Sequence, residues 1–176
     1  MSETNFIITL AWPEGMVISA GAWYDGVAST NGKYRVGHSA MLLVNGTTNR
    51  VHYFDFGRYH TPKGYGRVRD IETDADVEVI NAKINGSEID NIEDILHAVS
   101  EMKTTHGEGK MYASLISNID FDKAYIRAKG LQDKGMLPYG PFVREGTNCS
   151  RFVATVIKSA GPSFIKKLRL KYPFCI

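Results

Sequence analysis

Cysteine is scarce in this chain: Cys149 and Cys175 are its only two thiols among 176 residues. Two cysteines so far apart cannot form a disulfide framework, and neither stands in a zinc-ligand spacing. The five histidines are scattered, with no pair at metal-ligand spacing beside a cysteine, so no metal or organic cofactor is implied. Long apolar runs are missing too. No window approaches the roughly 18 apolar residues that would span a membrane. The opening "MSETNFIITLAWPEG" has neither the basic start nor the apolar stretch of a signal peptide, and the closing "FCI" is too short after Cys175 for a prenylation box. These absences predict a cytoplasmic protein with no stable membrane association. A net charge of only +2 makes no demand for a nucleic-acid partner.

What is present is the composition of a folded soluble chain, 43% hydrophobic and 23% charged, at a length suited to one domain over residues 1–176. The charges are segregated. Lys33, Arg35, Arg50, Arg58, Lys63, Arg67 and Arg69 stand against the single acid Asp55. From Asp70 to Glu101 acids dominate, with Lys83 alone against them. The plain reading is two solvated faces that partly neutralise each other; the sharper one is an anion-attracting patch near Asp55.

"NFIITLAW" predicts a strand ended by the Pro13-Glu14-Gly15 turn, and the Gly/Ser/Asn-rich run from Ser19 to Lys33 a long loop. "RVGHSAMLLV" and "RVHYFDFGRY" flank Asn45–Asn49, a hairpin signal in which Asn-Gly supplies positive φ angles. "TPKGYGRVRD" reads as a second loop and the alternating "DADVEVINAKIN" as a half-exposed strand. Ile89, Ile92, Ile95, Leu96 and Val99 recur at helical spacing, with Ser87 or Asp90 as N-cap and Gly107 beyond the end. "KMYASLI" is strand-like. "DFDKAYIRAKGLQDKG" is a helix capped by Asp120 and stopped by Gly135. Mixed elements in this order predict α+β with a mainly antiparallel sheet.

The chemistry gathers at "REGTNCSRFV". Phe152, Val153, Val156, Ile157 and Ala160 form one apolar helix face, ended by Gly161-Pro162, with Thr147 or Asn148 as N-cap. Cys149 then lies in the first turn, where unpaired N–H groups and the helix dipole favour a thiolate and can hold an oxyanion. A buried, inert thiol is the competing reading. His38, in "VGHSAMLLV", is a base on a neighbouring strand, and Gly37 before it leaves room for close approach. The hairpin allows two registers. One puts Asp55 on the His38 face; the other offers His52. A thiol, an imidazole and an orienting carboxylate form a nucleophile–base–orienter set.

"GHSAML" on a strand, a polar residue on the next strand and "NCSRFV" opening a late helix resemble the circularly permuted NlpC/P60 branch of papain-like enzymes, in which the histidine strand precedes the cysteine helix. The closing motif is similar to the helix start of lecithin–retinol acyltransferase-like proteins. The resemblance covers His38 to about Ala160. It implies Cys149 as nucleophile, His38 as base and Asp55 as third polar residue, with His52 and His60 as competitors for that place. The fold it implies is a papain-like antiparallel sheet or partial barrel packed against helices.

From these features the expected activity is a cysteine hydrolase acting through an acyl-enzyme on a small peptide, amide or ester that carries an acidic group. Arg58, Arg67 and Arg69 are candidates to bind that group. Tyr139 is a candidate to line the cleft, while core packing is the expected job of Trp12 and Trp23. A lipid acyltransferase or thioesterase, and a non-catalytic binding domain, are the rival readings. For the first of these the run Lys166-Lys167-Leu168-Arg169-Leu170-Lys171 is a weak membrane hint.

Overall fold

A computed structural model describes residues 4–18, 33–35 and 37–162. The strands in chain order are β1 (Phe6–Trp12), β2 (Met16–Ile18), β3 (Lys33–Arg35), β4 (His38–Val44), β5 (Val51–Gly57), β6 (Tyr65–Arg69), β7 (Ile84–Asn85), β8 (Glu88–Ile89), β9 (Tyr112–Ser117) and β10 (Leu137–Pro138). Three α-helices accompany them: α1 (Ile92–Glu101), α2 (Phe121–Gln132) and α3 (Cys149–Ser159). Six strands make one antiparallel sheet in the order β10-β6-β5-β4-β1-β9; β2–β3 and β7–β8 are separate pairs. The α+β class and the antiparallel sheet read from the sequence are what the chain adopts.

Period-two side chains give this sheet two buried faces. Ile7, Met41, Leu43, Phe54 and Phe56 point to one side and meet α2 and α3 through Ala124, Ala128, Phe152, Val156 and Ile157. Leu10, Trp12, Ala40, Leu42 and Tyr53 point to the other and meet Val77, Val79, Ala82 and, on α1, Ile95 and Val99. β4 is therefore buried on both faces, which explains its near-continuous apolar run.

The hairpin closes in the register Val44↔Val51 and Ala40↔Asp55. Its left-handed residue is Asn49, with φ 60°, in place of the expected Asn45-Gly46. Asn45 instead caps the turn, its Oδ1 accepting from the N–H groups of Thr47 and Thr48.

Three elements differ from the sequence reading. The second half of the "TPKGYGRVRD" loop is β6, because Gly66 lies under the Phe56 ring, where a side chain would collide. The segment 74–82 is not a strand. It buries Val77, Val79 and Ala82 with Ile80 and Asn81 both exposed between the last two, and after a short 3-10 turn at Ala75–Val77 it joins no ladder among the described residues until Ile84–Asn85 form β7. The cap of α1 is Asn91, not Ser87 or Asp90, and the Asn91 side chain bonds Asn81 O and the Lys83 N–H. By contrast Asp120 caps α2 as expected, accepting from the Lys123 N–H. Of the Ser19–Lys33 loop only Lys33 is described; Trp23, Cys175 and the Lys166–Lys171 run lie outside the described residues.

Candidate active site

The ladder between β4 and β5 ends at Ala40↔Asp55, and the last residues of β5 pair only with β6, Gly57 opposite Arg67. The sheet is thus open where His38 and Ser39 stand, and the start of α3 enters that gap. Asn148 is the N-cap, its Oδ1 accepting from the Arg151 N–H at 2.8 Å. This leaves the Cys149 N–H among the unpaired donors of the first turn. The approach to the helix is fixed from below. Thr147 N–H donates to Pro138 O, Gly140 N–H to Thr147 O, and Tyr139 N–H to Gly64 O beside β6. Arg151 ties the same loop through Nη1 to the carbonyls of Gly140, Pro141 and Val143.

Cys149 is 5% exposed. Burial alone would raise its pKa, but the thiolate accepts from His38 and from the N–H groups of Ser39 and Ser150, and the net shift is downward. His38 points its Nε2 at Asp55 Oδ2, 3.1 Å away, which leaves Nδ1 for the sulfur. Burial pulls the imidazole pKa down; Asp55 and the Cys149 sulfur outweigh it and hold it at about 9. A lowered thiol and a raised imidazole describe a thiolate–imidazolium pair. Trp12 stacks on the His38 ring with centroids 5.8 Å apart, and Gly107 gives the indole its space: a Cβ there would lie 2.4 Å from it.

Asp55 is fully buried and accepts five hydrogen bonds: His38 Nε2, Tyr53 OH at 3.0 Å, Tyr59 OH at 2.8 Å, and Arg69 Nε and Nη2 at 3.1 and 2.8 Å. Burial would raise its pKa, yet these donors hold it near 2. The Arg69 guanidinium also lies over the Tyr59 ring, 3.3 Å from its centroid, and donates to Thr104 O.

Of the sequence-derived candidates, Cys149, His38 and Asp55 come together. His52 does not: it packs against Phe121 and Tyr125 on the opposite face. His60 is exposed in a left-handed turn. Arg58 and Tyr139 line a cleft of about 820 Å³ beside His38, together with Tyr59, Lys63, His106 and Glu108. Arg58 lies 5.4 Å from the Tyr139 ring centroid. Arg67 is not in that lining. Its guanidinium is bidentate to Asp74 and donates through Nε to Tyr59 O, and Arg69 is likewise committed inward, to Asp55. Tyr53, Tyr59 and Arg151 went unassigned in the sequence. Tyr53 was legible as the same-face neighbour of Asp55 two residues away; the other two act through loops whose path the pattern does not encode. Among the described residues no group of three or more His, Cys, Asp or Glu is placed to hold a metal ion, and no helix is long and apolar enough to cross a membrane.

Fold and site together define an α+β protein with an antiparallel sheet and a thiol at the start of a late helix, an arrangement consistent with a papain-like fold. The chain belongs to the Type VI secretion system effector TseH-like family, whose family model matches residues 7–163. The fold is similar to the crystal structure of the type VI secretion system effector TseH, at a TM-score of 0.64 and 22% identity, over 98% of this chain and 91% of that one. None of the curated proteins matches the chain.

Proposed function

We propose that this chain is a cysteine hydrolase of the peptidase or amidase type, in the NlpC/P60 manner, with Cys149 as nucleophile, His38 as base and Asp55 as orienter. The observation that carries the reading is His38 set between a carboxylate on Nε2 and the helix-start sulfur on its other side. His38 Nδ1 takes the Sγ proton, and the thiolate adds to the carbonyl carbon of the substrate. The Cys149 N–H holds the oxyanion that results. As the C–N bond breaks, His38 returns its proton to the departing amine and leaves a thioester on Cys149. Water, deprotonated by His38, then adds to the thioester; the C–S bond breaks and the thiol is restored.

The cleft suits a small peptide or amide with an acidic group, for which Arg58 and Lys63 supply positive charge on the wall beside His38. The family description supports reading the chain as an exported effector, in place of the cytoplasmic expectation.

The test is the iodoacetamide alkylation rate of Cys149 against pH, followed site by site by mass spectrometry, with Cys175 as the second thiol and His38→Ala alongside. Reaction well below the ordinary thiol range near 8.5, lost in His38→Ala, is expected. A Cys149 that titrates as an ordinary thiol, or reacts only once the fold melts, refutes the nucleophile.

A further inference from the structure

The buried charge next to the orienter has a partner that a simple thiol–imidazole–carboxylate set does not require. Asp55 already receives hydrogen bonds from His38, Tyr53 and Tyr59. Neutral donors could satisfy its remaining lone pairs. The chain instead buries a guanidinium, Arg69, to 3% exposure and aims two of its nitrogens at the two carboxylate oxygens. Arg69 stands directly opposite Asp55 in the β5–β6 register, so the contact is fixed by the ladder rather than by a mobile side chain. The Tyr59 ring beneath the guanidinium and Thr104 O at its far edge complete the seat. Burying a charge at this cost makes sense where the charge itself is used.

We propose that Arg69 is a positioning residue whose positive charge, delivered through Asp55, sets the pH window in which Cys149 and His38 exist as thiolate and imidazolium. This rests on reading Cys149 as a nucleophile. Counted as charges, the working site holds thiolate, imidazolium, carboxylate and guanidinium, which sum to zero. The titratable and charged groups packed about His38 are Asp55, Tyr53 and Tyr59 from β5 and the turn after it, Arg69 from β6, Cys149 from α3, and His106, which stacks on Tyr59 from the segment after α1; Arg58, Lys63 and Glu108 line the cleft beside the ring and are the same in every variant compared. With the guanidinium removed, Tyr53, Tyr59 and His38 still donate to Asp55 and keep it ionised, so the site carries one net negative charge. Both remaining protons are then held more tightly. The thiolate forms at higher pH, and the imidazolium persists to higher pH.

The experiment compares wild type, Arg69→Gln and Arg69→Lys as full chains, each first checked for a native near-ultraviolet circular dichroism spectrum. Two profiles are read for each: Cys149 alkylation rate against pH, and His38 imidazole titration by NMR. In Arg69→Gln both the acid limb and the His38 titration should move up by about one unit or more. In Arg69→Lys, where the charge is kept and only the fork is lost, both should stay with wild type while the rate falls.

If Arg69→Gln changes stability alone and leaves both profiles in place, Arg69 is structural and the proposal is overturned. A shift in Arg69→Lys as large as in Arg69→Gln also overturns it, since shape rather than charge would then be responsible. Should Arg69→Gln fail to fold, Arg69→Met takes its place, since it removes the charge and fills the volume: an upward shift of both profiles in Arg69→Met with Arg69→Lys at wild type supports the proposal, and unmoved profiles in Arg69→Met overturn it. A wild type with no displaced thiolate refutes the nucleophile itself, a failure separable from the others because it needs no variant.

Discussion

Replacing Asp55 by asparagine changes one atom, and the structure fixes what that atom must do. Four donors converge on Oδ2: His38, Tyr53, Tyr59 and Arg69 Nη2; Oδ1 receives only Arg69 Nε. The amide oxygen therefore takes the Oδ2 place, where it keeps the two neutral tyrosine bonds, the Arg69 Nη2 bond and the His38 contact, but without a charge to offer the guanidinium. The NH2 group takes the Oδ1 place and faces Arg69 Nε, donor against donor. Arg69 is left as a buried, unpaired charge, a loss of about 3–5 kcal/mol.

The pH dependence carries its own sign. The Asp55 pKa is lowered from its ordinary 3.8 to about 2, so its stabilisation is present above pH 4 and is lost as pH falls through 2. At neutral pH that amounts to about 2 kcal/mol. The His38 pKa is raised to about 9, so its share is complete below 6.5 and is lost as pH rises through 9. The His38–Asp55 contact enters both shifts, beside Arg69 in the one and Cys149 in the other, so the two do not add. Urea unfolding at pH 7 is the assay, with Asp55→Asn, Arg69→Met and the double variant in a cycle. The single losses should exceed the double loss by roughly 2 kcal/mol, because the double variant buries no unpaired charge. Additive losses would refute the pairing, and an unchanged stability in Asp55→Asn would refute the burial argument as well.

Two further outcomes are expected. Gly107→Ala places a methyl 2.4 Å from the Trp12 indole and must displace either the ring or the segment; the shifted indole unseats His38, so Cys149 alkylation at pH 6 should slow at a stability cost of about 1–3 kcal/mol. Asn148→Ala removes the oxygen that accepts from the Arg151 N–H and frays the turn that carries Cys149. A loss of about 1 kcal/mol in thermal unfolding, with a higher alkylation pH for Cys149, is the expected result; an intact acid limb would show that the cap does not place the thiol.

Much of this fold was legible because the informative stretches are locally consistent. "NFIITLAW" has one period and a proline turn; Asp120 and Asn148 are caps followed by apolar faces of helical spacing; and the hairpin length left only two registers, one of which aligned Asp55 with His38. The misreadings have physical causes. The alternation of "DADVEVINAKIN" holds in burial only from Val77 to Ile80, beside a 3-10 turn, and a strand also needs a neighbour's edge, which no local pattern encodes. The glycines at 64 and 66 read as loop, although Gly66 is glycine so that β6 can lie against Phe56. Arg67 and Arg69 read as exposed anion binders because charge in a sequence does not say which way it points. β6 turns Arg69 inward to Asp55, and Arg67 is engaged by Asp74.

The two arms of the site belong to different cores. α3, with Phe152, Val156 and Ile157, packs on one face of the sheet, while Trp12, Ala40 and Tyr53, which flank His38 and Asp55, pack on the other. Such arms can meet only at an opening in the sheet, and the end of the β4–β5 ladder at Ala40↔Asp55 provides it. The backbone of β4 serves both sides there: His38 reaches the carboxylate, and the N–H of the next residue, Ser39, donates to the sulfur. The approach of Cys149 to His38 is therefore set by one strand's continuation past its partner, not by contact between two helices. A strand buried on both faces resists movement, so the site inherits the stiffness of the core at the one place where that core has a gap.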